Sequence, residues 1–241
     1  IKKSFQVTAN TLQYISEKIK PGLKTIKIDQ MAEDYILRHN GKPSFKGYGP
    51  EGSEFPSSVC ISVNDEIVHG IPGERILQEG DIVSLDIGTY LNGYYGDSAV
   101  TVGVGRISEV AEKLIKTTLA CLYEGIKNAQ NNNFIGDIGY AIQTLAEKNN
   151  FSVVREFVGH GVGLNVHEDP QIPNYGNPKT GLKLEKGMVI AIEPMINEGD
   201  FRTISGKDGW TVKTADGSLA AHFEHTIAIY EKNNEILTLC Q

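Results

Sequence analysis

Apolar positions recur along this chain with two different periods, and the alternation between the periods outlines a fold. A helical spacing runs from about Ala9 to Lys20 and is broken at Pro21-Gly22. A second helix is expected to start after Asp29, read as its N-cap, with Met31, Ala32, Tyr35 and Ile36 on one face and an end at Asn40-Gly41. Residues 42–57 are rich in Gly, Pro and Ser and read as a loop. Strand-like sequence follows around Val59 to Val63 and from Asp81 to Leu91. Asn92-Gly93, between two alternating runs, is a strong two-residue hairpin signal. Pairing Leu91 with Tyr94 sets Gly88 opposite Asp97. Asp86, on the same strand face as Gly88, is then the diagonal neighbour of Asp97, at roughly 7–8 Å by backbone position.

The chain then returns to helical spacing. Ser108 is placed to cap a helix whose stripe is Val110, Ala111, Leu114, Ile115, Thr118, Leu119, Leu122 and Ile126. Another helix, from about Asp137 to Lys148, carries Ile138, Ala141, Ile142 and Leu145. Helices followed by strands thus occur twice, and an offset of 107 residues aligns the two sets. Leu77-Gln-Glu-Gly-Asp-Ile-Val-Ser-Leu-Asp86 matches Leu184-Glu-Lys-Gly-Met-Val-Ile-Ala-Ile-Glu193, with Leu and Gly in register and an acid closing an apolar strand. Ile19-Lys20 and Ile126-Lys127 keep the same offset. A second acid precedes an alternating strand in each half, Asp97 in the first and Glu224 in the second. The expected architecture is α+β, one domain spanning 1–241 with two pseudo-equivalent halves, about 1–105 and 106–241.

Composition narrows the class. At 241 residues, 40% hydrophobic and 22% charged, the chain can bury a large core and is ordinary for a globular protein. A net charge of −7 without a Lys/Arg stripe argues against nucleic-acid binding. Apolar runs such as Met188 to Ile192 are far shorter than the roughly 20 residues that span a bilayer. No basic-then-apolar signal sequence opens the chain, which starts at Ile1 rather than methionine, so residues are expected to precede it. Cys60, Cys121 and Cys240 are odd in number and widely spaced, which fits reduced thiols in a cytoplasmic setting better than a disulfide framework.

Ionised carboxylates in apolar strand sequence are costly unless compensated. Four of them, delivered as two matching pairs, point to metal. Histidines complete the donor set: His160 between glycines in Gly159-His-Gly-Val-Gly163, His167 in Val166-His-Glu-Asp-Pro170, and His69 in a turn before the first repeated strand. Flanking glycines let backbone and metal come close to His160. Four carboxylates bring a charge of −4, which two divalent cations would neutralise. Carboxylate and imidazole together suit the first transition row, and such a pair activates water and polarises a carbonyl, as peptide hydrolysis requires.

The ordered set Asp86, Asp97, His160, Glu193 and Glu224, with His69 and His167 between, resembles type I methionine aminopeptidase of the pita-bread superfamily. The segments that carry the resemblance include Ser57-Ser-Val-Cys-Ile-Ser-Val-Asn64, Val68-His-Gly-Ile-Pro72, Val158-Gly-His-Gly-Val-Gly163, Ile192-Glu-Pro-Met195, Asp208-Gly-Trp-Thr-Val-Lys-Thr214 and Glu224-His-Thr226. The resemblance covers nearly the whole chain. It implies a curved antiparallel sheet with helices outside and an internal pseudo-twofold. It also implies removal of the initiator methionine from nascent proteins with small second residues, through water activated by two metal ions (Co, Mn, Fe, Ni or Zn).

By that resemblance Asp86 would bind one metal, His160 and Glu193 the other, and Asp97 and Glu224 both. His167 would hydrogen-bond the scissile carbonyl, His69 would contact the amide or amine nitrogen, and Glu193 would shuttle a proton. Cys60, Tyr48, Phe55 and Trp210 would line the methionine pocket, with Pro50 to Glu54 a small insertion in a pocket loop and Val166 leaving one wall open. Nascent polypeptide N-termini are the implied partners, with transient ribosome association, a monomeric state and no nucleic-acid or membrane binding of its own. Only 26 positions separate His167 from Glu193, which excludes the type II insertion. Prolidase and aminopeptidase P add a large N-terminal domain that 241 residues do not accommodate. A silent peptide-binding module and an Xaa-Pro aminopeptidase are the alternatives.

Taken one at a time, several residues have plainer explanations. Cys60 alone reads as a small buried hydrophobe, Trp210 as packing, and Cys121 as core. His39, His222 and His225 read as structural, with His225 a candidate outer partner of the metal site. Gly-Val-Gly at 103–105 and 161–163 fits neither a dinucleotide nor a P-loop template, and no Gly-x-Ser-x-Gly elbow is present.

Overall fold

The computed structural model describes residues 2–240. Each half of the chain supplies two helices packed on each other and a three-strand antiparallel core, in the same order. In the first half, α1 (Lys2–Ser16) and α2 (Thr25–Arg38) precede strands Val59–Val63, Ile82–Leu91 and Tyr94–Gly103. In the second, α3 (Glu109–Asn128) and α4 (Ile135–Lys148) precede Gly159–Gly161, Val189–Ile192 and His225–Ile229. The middle strand of each triplet pairs with both others, always antiparallel.

Strand parity decides which face each residue takes. Val83, Leu85 and Ile87 pack on Leu12, Ile15, Ile28, Ala32 and Ile36 of the first helix pair. Successive side chains alternate faces, so Ser84, Asp86 and Gly88 turn away from those helices. In the second half, Ile190, Ile192, Ile227 and Ile229 join Leu114, Leu122, Ile138 and Ile142 in a second core. Ala191, Glu193, Glu224 and Thr226 fall on the opposite face. The acids of both halves therefore look away from the helices and toward one another.

A seam of hydrogen bonds joins the halves on that inner face. Glu224 N–H donates to the Ala99 carbonyl at 2.9 Å. Ser98 Oγ donates to the Glu224 carbonyl and Thr226 Oγ1 to the Asp97 carbonyl. Strand pairing is divided among four sheets of described residues rather than running through one ladder. Outside the two central sheets, Glu66–Val68 pairs with Val212–Thr214, and Met195–Asn197 pairs with Ala220–His222.

The hairpin has the expected register, with Leu91 opposite Tyr94 and Gly88 opposite Asp97. Ser108 caps α3, its Oγ accepting from Ala111 N–H at 3.2 Å. Several boundaries differ from expectation. Helix α1 starts at Lys2 and ends at Ser16, not at Lys20, because the Lys18 and Ile19 amides already bond back three residues rather than four. Its start was hidden by Ser4, Thr8 and Thr11, which are buried hydroxyls. Thr8 and Thr89 share a 2.6 Å hydroxyl contact, and Thr11 and Ser16 bond back to carbonyls four residues earlier.

Asp29 is not the cap of α2. It lies inside the helix, 6% exposed, and accepts from the Ser58 and Val59 amides at 2.8 and 3.0 Å. It thus ties the helix to the start of the Val59–Val63 strand. Val110, placed on the buried stripe of α3 by its spacing, is exposed. Asp86 lies within its strand, which continues to Leu91, whereas Glu193 follows the last strand residue.

Candidate metal centre and substrate cavity

Local structure delivers each site residue from a different element. Asp86 lies across from Cys60 on one side and Ala99 on the other. Asp97 is two residues from Ala99 on the neighbouring strand, opposite Gly88. Continuing the His225–Ile192 pairing by one residue sets Glu193 opposite Glu224. His160 sits at the centre of the Gly159–Gly161 strand. Its glycine neighbours serve mainly strand packing: a Cβ on Gly159 would lie 2.3 Å from the Ala191 carbonyl oxygen, and one on Gly161 2.3 Å from that of Asp169. His69 follows the Glu66–Val68 strand with φ +59°, and Trp210 precedes its partner strand, so pairing brings the two rings within 6.2 Å.

These residues surround one cavity of about 600 Å³. Asp86, Asp97, His160, Glu193, Glu224, His69, His167, Cys60, Tyr48, Phe55 and Trp210 all line it. Donor atoms within 4.8 Å of one another form three overlapping groups: Asp86, Asp97 and Glu224; His160, Glu193 and Glu224; and Asp97, His160 and His167. His160 Nε2 is 3.5 Å from Glu193 Oε1 and 3.9 Å from Asp97 Oδ2. His160 Nδ1 is 2.8 Å from the Gly161 carbonyl. A carbonyl can only accept, so the proton is on Nδ1 and Nε2 is left with its lone pair facing the acids.

The electrostatics of the cluster are those of a cation site. Burial pushes Asp86 and Glu193 up to about 7, with each acid's neighbours adding to or opposing that effect. Burial and then the charges of the other acids drive Asp97 and Glu224 well above the usual carboxylate range. Asp86 Oδ1, Asp97 Oδ1 and Glu224 Oε1 are buried without a hydrogen-bond partner among the described residues. Buried oxygens of this kind are costly unless something satisfies them. Four carboxylates and one lone-pair imidazole within a few Å suit divalent metal ions.

Beside the acids lies an apolar cluster of Phe45, Phe55, Cys60 and Val166, with Ile71, Tyr95 and Trp210 packed against it. Cys60 is buried, and burial followed by Asp86 and Asp97 holds its thiol well above the ordinary value. It therefore presents a neutral sulfur rather than a nucleophile. Val166 is 4% exposed and packs within this cluster. Phe45 was passed over in the sequence because it sits in a stretch that reads as loop. Tyr48 lies outside the apolar cluster, at the rim, where its hydroxyl meets His167 Nδ1 at 2.8 Å. The Pro50 to Glu54 segment is tied to Trp210, whose Nε1 donates to the Ser53 carbonyl.

The minor histidines divide. His225 bonds Thr238 Oγ1 and lies tilted against the Tyr123 ring, outside the close donor groups. His222, read from the sequence as structural, is buried with Nε2 3.4 Å from Glu193 Oε2.

The fold and the carboxylate cluster define a metallopeptidase: the chain belongs to metallopeptidase family M24, whose model matches residues 1–231. A curated protein from Clostridium perfringens named methionine aminopeptidase is 51% identical over 99% of this chain and 94% of its own length. Methionine aminopeptidase 1 of Bacillus subtilis is 50% identical, with 99% and 94% covered. The crystal structure of methionine aminopeptidase from Rickettsia prowazekii superimposes with a TM-score of 0.95 at 42% identity, covering 99% of this chain and 95% of that one. A prolidase from Pyrococcus furiosus, 21% identical with a TM-score of 0.80, shares the pita-bread fold alone. Among the described residues no helix is long and apolar enough to cross a membrane.

Proposed function

We propose that this chain is a methionine aminopeptidase, releasing the N-terminal methionine of polypeptides by metal-dependent hydrolysis. The observation that carries the reading is the convergence of five metal-donor side chains from both halves beside an apolar, sulfur-lined slot in one cavity. Asp86 would hold one cation, His160 and Glu193 the other, and Asp97 and Glu224 both. Bound there, the cations would activate water and polarise the scissile carbonyl.

The chain's own residues supply the rest. If the Tyr48 hydroxyl donates to His167 Nδ1, the ring carries its proton on Nε2 and can donate to the substrate carbonyl oxygen. Burial lowers the His167 pKa, which favours this neutral donor. His69, lowered to about 4 by burial and then by His222, is neutral as well and faces the amine end of the substrate. Glu193 would carry a proton from the attacking water to the departing nitrogen. Cys60, Phe55 and Trp210, with Phe45 and Val166, form the methionine slot, and a soft thiol against aromatic faces suits a thioether. Tyr48 orients His167 at the slot's rim.

The proposed substrates are nascent polypeptide N-termini with small second residues, met in the cytoplasm by a monomer that associates transiently with the ribosome. The catalytic unit is proposed to be one domain, 1–241, of two pseudo-equivalent halves. The test is methionine release from Met-Ala and Met-Gly peptides under titration with cobalt, manganese, iron, nickel or zinc. Release with at least one metal, suppressed by a chelator, is the expected result. Faster cleavage of Xaa-Pro than of Met-Ala peptides, or no turnover with any metal, overturns the reading.

A further inference from the structure

His222 closes the Ala220–His222 strand opposite Met195 and is 1% exposed. Its backbone is fixed on both sides by one hydroxyl: Thr101 Oγ1 accepts from His222 N–H at 2.9 Å and donates to the His222 carbonyl at 2.8 Å. The ring does not line the cavity and belongs to none of the close donor groups, so it stands behind the acids rather than among them. Glu193 lies between two imidazoles, with Oε1 3.5 Å from His160 Nε2 and Oε2 3.4 Å from His222 Nε2. Neither ring nitrogen of His222 has another hydrogen-bond partner among the described residues. A buried N–H without an acceptor is disfavoured, and the carboxylate oxygen at 3.4 Å needs only a small rotation to become one.

We infer that His222 is a positioning residue for Glu193: Nε2–H donates to Glu193 Oε2 and turns Oε1 toward the cation shared with His160. In either protonation state the imidazole carries at least one ring N–H to give. Ligating carboxylates are commonly held by such partners, whose loss costs about 10–100-fold in metal affinity. The inference rests on the metallopeptidase reading, and the experiment separates the two.

Manganese binding is titrated calorimetrically into wild type, His222→Leu, His222→Met and His222→Gln, with denaturation of the metal-free proteins as a check on folding. The apolar variants are expected to lose about 10–100-fold in affinity at one cation site and keep the other. His222→Gln, whose amide can still donate to Glu193, is expected to recover most of the loss. In a Glu193→Gln background, His222→Leu should add no further loss. Wild-type affinity at both sites in either folded apolar variant overturns the inference, as does a glutamine variant as weak as the leucine one. A wild-type protein that takes up no manganese overturns the metallopeptidase reading instead.

Discussion

Replacing Glu193 by Gln tests whether the acid cluster is held against its own preference. The side chain is 12% exposed, and burial raises its pKa from 4.5 to about 7, with His160 opposing. Because the folded value lies above the unfolded one, the native carboxyl keeps its proton longer than the unfolded chain does. Stability from this group is whole below about pH 4.5 and is lost as pH rises through 7. A rise from 4.5 to about 7 is worth roughly 3 kcal/mol at full ionisation. Glutamine has nearly the same shape and no charge. In the presence of a chelator, Glu193→Gln should therefore stabilise the fold by about 3 kcal/mol at pH 8.5 and by less than about 1 kcal/mol at pH 5. For a chain of this length the pH 8.5 gain corresponds to roughly 6–12 °C in Tm. Denaturant unfolding at the two pH values measures it. With saturating manganese the order should reverse, since the variant has lost a ligand. An unchanged or lowered stability at pH 8.5, or a gain of equal size at both pH values, would refute the reasoning.

Asp97→Ala and Glu224→Ala should each abolish methionine release while leaving a folded protein, read by peptide assay and circular dichroism. His167→Ala should cut kcat by about 10²–10³-fold, the cost of one oxyanion-type donor, with manganese still bound in calorimetry; full activity would remove its proposed role. Gly70→Ala should destabilise the fold and impair turnover together. Its Cβ would fall 2.2 Å from the Ile61 carbonyl oxygen, so the chain carrying His69 must move off the Val59–Val63 strand. Thermal denaturation matching wild type would contradict that account.

Features set by neighbouring residues were legible in the sequence. Asn92-Gly93 fixes a hairpin, the hairpin fixes a register, and the register alone brings Asp86 and Asp97 together. The repeat was legible because each half keeps the same turn and apolar strand before its acid. Features set across the fold were not. Hydroxyls on α1 look like a solvent face until Thr89 is seen to meet them. Asp29 has the chemistry of a helix cap, and nothing local shows that its acceptor oxygen serves the amides of Ser58 and Val59 instead. His222 stands between alanine and phenylalanine, and its proximity to Glu193 arises only when the Met195–Asn197 and Ala220–His222 strands pair.

The seam between the halves gives the cations a mechanical part as well. Asp86 and Asp97 come from one half and His160, Glu193 and Glu224 from the other, and the Ala99–Glu224 backbone bond lies among them. Loading would therefore fasten the two lobes to each other at the point where they touch. A chelator would slacken this joint along with the chemistry, and amide exchange at Ala99 and Glu224 would register the loosening.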